Sequence, residues 1–348
     1  MYLCWENREA ASVTPQPVLL RTSERGVFKQ CRQQWAWRFM DHLVVDVRKP
    51  ALEFGTLIHN SLAEYYKPGK KRGPHPTKTF IKLYDARVEQ SFRMRDENEE
   101  WVDAREMGIA VLDHYIETWG RDAQIEVIAP EMPFKFLLTD IGGKPFWYVG
   151  RFDALIRWIL TGEYGLLEHK TASSISTAHL QLDEQAGSYW LFAPEWIKEL
   201  QRQGIIPRGN RLEMDMILYN FLRKAKPDAR PVDEFGHRLN KDGSVSKNQP
   251  PTYFERVPVY RDEGDRKTML RRIRQEAWEM RMVREGKLPI YKNPSSGYPD
   301  RHCEACPFRD MCELHETGSD WQSYRDQVYT VADPYSEYRH DLDLEGGD

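Results

Sequence analysis

The sequence predicts an α/β protein: one domain with a central mixed β-sheet flanked by helices and enlarged by helical elaborations. Three observations predict it. Residues 149–159 and 164–169 are short runs rich in β-branched and aromatic residues, and Thr161-Gly162-Glu163 lies between them, so the pair reads as a β-hairpin. A helix-length segment at about 178–202 follows, leading to a further strand-like run at 211–222. The residues of chemical interest run from His59 to Tyr189, across several of these elements, so no two-domain cut offers itself. Residues 1–20 read as an N-terminal extension, 21–318 as the single domain and 319–348 as an acidic tail.

Taken in order, residues 21–41 open with Ser23 as an N-cap and carry Val27, Phe28, Cys31, Trp35 and Phe39 at a near-helical period. They read as one amphipathic helix with Cys31 on or near its buried face. Arg25, Lys29, Arg32 and Arg38 decorate it, either to face phosphates or as a solvated basic face. A second helix begins at Glu53 and runs to Tyr66, with His59 one turn after Gly55; a lone helical histidine is either a ligand or a structural residue. Residues 67–78 read as an exposed basic loop and 79–119 as two mostly polar helices anchored by Trp101 and Trp119. Residues 125–138 read as a strand whose apolar run Glu131 interrupts, and Ile141-Gly142-Gly143-Lys144 is the turn into the hairpin. On the 178–202 helix, Gln185 and Tyr189 stand four apart and share a face. Residues 223–226 are basic, 227–251 are loop by composition, and 253–260 alternate like an edge strand. Residues 265–285 read as a charged helix burying Met269, Ile273, Trp278 and Met282, and residues 337–348 read as disordered.

With 348 residues the chain has ample length for a large core, and its net charge of -4 gives no global basic signature. A nucleic-acid partner would need a local basic surface. No apolar run reaches the ~18–20 residues of a membrane span. The first eleven residues carry Glu6, Arg8 and Glu9 and lack the order of a signal peptide, so a soluble cytoplasmic protein without membrane contact is expected. Five cysteines are too few and too uneven for a disulfide scaffold: Cys4 and Cys31 lie near the start, Cys303, Cys306 and Cys312 near the end. That clustering points to metal.

The hairpin carries the chemistry. Residues two apart on a strand share a face, so Glu168 and Lys170 project together while His169 points away, and the partner strand can bring Asp153 beside them. Two carboxylates hold a hard cation such as Mg²⁺ or Mn²⁺ and leave sites for water and a phosphate oxygen. A nearby lysine orients the water and stabilises the transition state. The alternative is a half-exposed hairpin whose solvent face happens to carry Glu and Lys.

Gly55-x3-His59, Gly150-x2-Asp153, Glu168-x-Lys170 and Gln185-x3-Tyr189 occur in this order. The series resembles the PD-(D/E)XK nuclease superfamily and, within it, the RecB-like exonuclease branch. Cys31 with Cys303-x2-Cys306-x5-Cys312 resembles the iron–sulfur subset, which includes the AddB nuclease domain and the CRISPR-associated RecB-like exonucleases. The resemblance covers residues 23–312, and Phe152 departs from it at the proline that names the superfamily. It implies a restriction-endonuclease-like core and a metal-dependent DNA exonuclease acting on single strands or ends. The implied setting is recombination, repair or end processing in a bacterial or phage-infected cell, with a helicase or recombination partner. It also implies His59, Asp153 and Glu168 as ligands of catalytic Mg²⁺ or Mn²⁺, Lys170 as the water-positioning residue, and Gln185 and Tyr189 as lining residues. The four cysteines are then ligands of a 4Fe–4S cluster that staples the two ends of the domain. Holding a loop of ~270 residues closed costs roughly 5 kcal/mol of chain entropy. The competing set is zinc held by Cys303, Cys306, Cys312 and His315.

Overall fold

The computed structural model describes residues 18–45, 50–91, 98–206, 214–295 and 302–343. Six strands form one mixed sheet: β1 (Leu19–Leu20), β3 (Ile125–Thr139), β4 (Pro145–Trp158), β5 (Tyr164–Ala172), β6 (Met216–Arg223) and β7 (Phe254–Val259). β3, β4 and β5 form an antiparallel meander. The crossover after β5 returns β6 parallel to it, and β7 closes the edge antiparallel. The expected hairpin and the expected edge strand are both present.

Alternation along the strands builds two cores. Leu166, Ile217 and Tyr219 face one side, where α1 (Thr22–Gln30), α6 (Glu184–Arg202) and α7 (Glu263–Arg284) bring Phe28, Trp196 and Ile273. Leu167 and Leu218 face the other, under Leu57, Ile58, Phe80 and Leu112 from α3 (Pro50–Tyr65), α4 (Pro76–Ser91) and α5 (Asn98–Trp119). Helices thus cover both faces of a sheet with parallel and antiparallel pairs, the mixed α/β architecture expected.

Several local expectations change. The single helix at 21–41 is three pieces: α1, α2 (Arg32–Trp35) and a π-helical turn, Ala36–Met40, because Cys31 takes an extended backbone with φ −160° and ψ 115°. Arg21, not Ser23, is the N-cap. Arg25 is fully buried, donating to Glu276, Tyr148 and Ser188, so it does not face phosphates. α4 begins inside the expected 67–78 loop, at Pro76, where proline suits a first helical turn. α6 begins six residues late, at an Asp183 N-cap after a 3₁₀ turn at Leu180–Leu182. Trp278 on α7 is only half-buried, and Ala277 and Met280 take the core positions. The 227–251 loop carries two short bridges, Val232 with Arg238 and Leu239 with Val245.

The segment after Ser319 is part of the fold. α9 (Trp321–Val328), which follows α8 (Arg309–Thr317), leads into β8 (Tyr329–Val331), which pairs antiparallel with β2 (Leu43–Val45). α10 (Ser336–Asp343) occupies most of the stretch expected to be disordered; residues 344–348 lie outside the described residues. Trp37, Leu43, Phe308, Met311 and Tyr329 form a small third core here, with Cys306 and Cys312 packed against it.

Candidate active site

The site lies where the sheet splits. β3 pairs with β4 along its whole length, so β1 and β5 share the opposite edge of β4. Along β4, pairing with β1 ends at Tyr148 and pairing with β5 begins at Ala154, opposite Leu167. Between them that edge of β4 has no strand partner among the described residues, and Asp153 is the last residue of the gap, next to the pairing with β5. Glu168 is the first residue of β5 beyond its pairing with β4; it continues on β6 alone, as far as Ala172 opposite Arg223. The split sets two carboxylates across an opening that α3 approaches from one face and α6 from the other.

Each approach has a sequence cause. Gly55 lets α3 lie close to β5: a Cβ there would sit 3.2 Å from Thr171 Oγ1. His59, one turn later, reaches Asp153 with its Nδ1 3.5 Å from Oδ2. On the other face Asp183 caps α6 by accepting from Ala186 N, and Tyr219 OH donates to the same oxygen. The first turn so fixed carries Gln185. Its Oε1 accepts from Lys170 Nζ at 2.6 Å, and its Nε2 donates to Glu168 Oε1 at 2.8 Å and to Tyr189 OH at 2.7 Å. Tyr189 OH in turn donates to Arg151 O. His59, Asp153, Glu168, Lys170, Gln185 and Tyr189 are therefore brought together.

Electrostatics at the opening are uneven. Burial, and then Asp153, push the Glu168 carboxyl up to about 7. Burial also opposes the charge on Asp153, but His59 and His169 outweigh it and hold that carboxyl below the usual range. Burial opposes the Lys170 ammonium; the Glu168 carboxylate, 2.8 Å away, outweighs it and holds the lysine charged. His59 is likewise raised despite its burial, by Asp153.

The donor set suits a hard cation. Glu168 is buried, its Oε1 is taken by Lys170 and Gln185, and its Oε2 has no hydrogen-bond partner. An orphaned buried carboxylate oxygen is costly unless a positive charge meets it. As they stand, no three His, Cys, Asp or Glu side chains among the described residues close around one point.

Two residues were missed from the sequence. Glu131 follows Pro130, which pairs with Ala154, and precedes Met132, which pairs with Phe152; it therefore falls opposite Asp153, with a left-handed backbone at φ 43°. Burial, and then Asp153, push its carboxyl up to about 7. Its one signal was the charge interrupting an apolar strand. His169 does point away from the Glu168 face, yet its main-chain N–H donates to Asp153 Oδ2 at 2.8 Å and its ring packs against His59. Burial holds that ring neutral, at about 3. Nothing in a lone strand histidine announced it.

A second cluster of candidate ligands lies at the third core. A cavity of about 790 Å³ is lined by Cys31, Cys303, Cys306 and Cys312. Burial, and then the neighbouring cysteines, push the Cys306 thiol up to about 11, and Ser295 N donates to Cys303 Sγ at 3.3 Å. Four sulfurs around one cavity suit a soft metal or cluster. His315 does not line it: its ring packs against Trp37 and Trp321, and Cys31 supplies the fourth side chain.

A family model, the PD-(D/E)XK nuclease superfamily, matches residues 23–313. The chain belongs to that superfamily. No curated protein matches it. PD-(D/E)XK membership makes metal-dependent nuclease activity the chain's general chemistry and nucleic acid its substrate. Phe152, at the position of the proline in the superfamily's name, is fully buried against Phe134 and Trp196 at ring distances of 4.4 and 4.3 Å. The core uses that side chain while Asp153 faces the opening. No helix among the described residues of this PD-(D/E)XK chain is long and apolar enough to cross a membrane.

Proposed function

We propose that this chain is a DNA exonuclease of the RecB-like branch, acting on single strands or strand ends in recombination, repair or end processing. The observation that carries the reading is the orphaned Glu168 Oε2, buried across the strand gap from Asp153 and His59 with the Lys170 ammonium alongside. His59, Asp153 and Glu168 are the residues that would hold Mg²⁺ or Mn²⁺, which when bound acidifies water and neutralises charge developing on the phosphate. Lys170 is held cationic, so it orients the attacking water and donates to a phosphate oxygen; it does not take the proton. Gln185 ties the lysine to Glu168 by hydrogen bonds from both ends of its amide, and Tyr189 fixes Gln185. Water oxygen bonds to phosphorus, the bond to the leaving sugar oxygen breaks, and the protons exchange with solvent.

The same reading assigns Cys31, Cys303, Cys306 and Cys312 to a 4Fe–4S cluster; the four-cysteine lining of the cavity supports it over the zinc set with His315. The decisive experiment follows end-labelled single- and double-stranded DNA with Mn²⁺ or Mg²⁺, using the wild type and Lys170→Ala purified without oxygen. The wild type should cleave stepwise from an end, and the variant should lose at least ~10²-fold in rate. A folded wild type that cleaves with neither metal would overturn the reading.

A further inference from the structure

Behind the opening lies a buried polar cluster that the chemistry above does not use. Arg256 grips Asp122 through Nη1 and Nη2 at 2.9 and 2.6 Å, and Asp122 also accepts from Tyr66 OH at 2.7 Å. Tyr66 and Tyr115 share a hydroxyl–hydroxyl bond. Arg256 Nε donates to Asn220 Oδ1 at 3.2 Å, and Asn220 Nδ2 lies 3.0 Å from Tyr115 OH and 2.8 Å from His169 Nδ1. Tyr66 stacks on the His169 ring at 5.7 Å and 27°.

The cluster has a direction. A guanidinium has only donors, so the Asn220 atom it meets is the oxygen, and the amide cannot be turned round. The amide nitrogen therefore faces His169 Nδ1 and donates to it. Nδ1 must accept, and the ring proton sits on Nε2.

We propose that His169 is a positioning residue for the candidate metal ligands, held as its Nε2–H tautomer by Arg256 acting through Asn220. His169 touches both partners of the His59–Asp153 pair. Its N–H holds the Asp153 oxygen that faces His59, and its ring, edge-to-face at 5.8 Å, is a wall for the His59 imidazole. A ring free to turn or to change tautomer would leave that wall loose. Supporting groups of this kind typically change metal affinity or activity 10–100-fold when altered. The proposal rests on the nuclease reading of this site, but its test does not need turnover.

The test uses the full-length chain labelled with ¹⁵N-histidine, with the His169 signals assigned by their loss in His169→Asn. The metal-free wild type should show a bare Nδ1 and a protonated Nε2. Asn220→Asp keeps the shape and the bond from Arg256 but places an acceptor against Nδ1, so a proton should appear there. Mn²⁺ titration followed by electron paramagnetic resonance should then show affinity about tenfold weaker than wild type. His169→Asn, which keeps an acceptor and the main-chain N–H but removes the ring, should weaken Mn²⁺ similarly and decides the matter if Asn220→Asp does not fold. A wild-type ring protonated on Nδ1 overturns the proposal, as does Mn²⁺ affinity within twofold of wild type in the folded variants. Failure of the nuclease reading shows instead as wild type that binds Mn²⁺ with the expected tautomer yet leaves DNA intact.

Discussion

At the scale of single residues, this site is a set of groups shifted from their ordinary titration by burial and by one another. Glu168 and Glu131 are both raised to about 7, while Lys170 stays charged next to one of them. Glu131 is also backbone-strained. A bulky residue in the left-handed region costs about 1–3 kcal/mol, and such strain gathers at functional sites. Glu131→Gly should therefore raise stability by about 1 kcal/mol in urea unfolding, after the entropic cost of glycine. The same variant should weaken Mn²⁺ binding and slow cleavage, because a carboxylate beside Asp153 is gone. A loss of stability with unchanged cleavage would show the strained residue to be a structural device only.

Residues whose role follows from periodicity were legible in the sequence. Glu168 and Lys170 share a face because a strand alternates, and Gln185 meets Tyr189 because a helix turns every 3.6 residues. Roles that depend on a distant partner were not. Arg25 looked like a surface cation until Glu276, 251 residues away, supplied its counter-charge. Cys31 sat comfortably on a helical period, yet its extended backbone breaks the helix and brings it to the cysteine cavity.

At the scale of elements, the motif glycines belong to packing. Gly150 lies directly opposite Phe134 in the β3–β4 ladder, and a Cβ on it would fall 2.4 Å from the ring. Phe152 and Phe192 flank that ring at 4.4 and 5.7 Å, so it has nowhere to go. Gly150→Ala should cost about 1–3 kcal/mol in chemical denaturation and, three residues from Asp153, should slow cleavage as well. A neutral substitution would mean the sheet yields more readily than its packing implies. The β3–β4 turn is tied to α7 by Asp140, whose carboxylate accepts from Arg281 Nε at 2.7 Å. Burial opposes that charge, but Arg281 and the main-chain N–H groups of Lys144 and Gly142 outweigh it and hold the carboxyl below its usual value. The stabilisation is thus complete above the unfolded value near ~4 and is lost as pH falls through the lower folded value. Asp140→Asn should cost about 1–2 kcal/mol at pH 7, and the difference from wild type should shrink as pH falls through the lowered Asp140 value.

At the scale of the whole molecule, the sheet class was readable because hairpin and crossover are local patterns. The gap in β4 was not, since it depends on where β1 and β5 pair with it. The tail was misread for a related reason: its residues are polar, but β8 and Tyr335 find partners near the start of the chain. The cysteine cavity joins the same two ends, Cys31 with Cys303, Cys306 and Cys312. Protein purified without oxygen should be brown and carry about four irons and four acid-labile sulfides per chain. Colourless protein with one zinc would replace the cluster. Cys31→Ser should lower the melting temperature along with the iron content.

The bond between Tyr335 OH and the buried Glu24 carboxylate spans 311 residues. A ribosome adding about 5–20 residues per second needs about 15–60 s to cover that distance. Throughout that interval α1 holds an acidic side chain one of whose partners has not yet been made. Trp35 can meet that carboxylate as soon as it has been made, whereas Arg284 and Tyr335 can join it only after most of the chain has been synthesised.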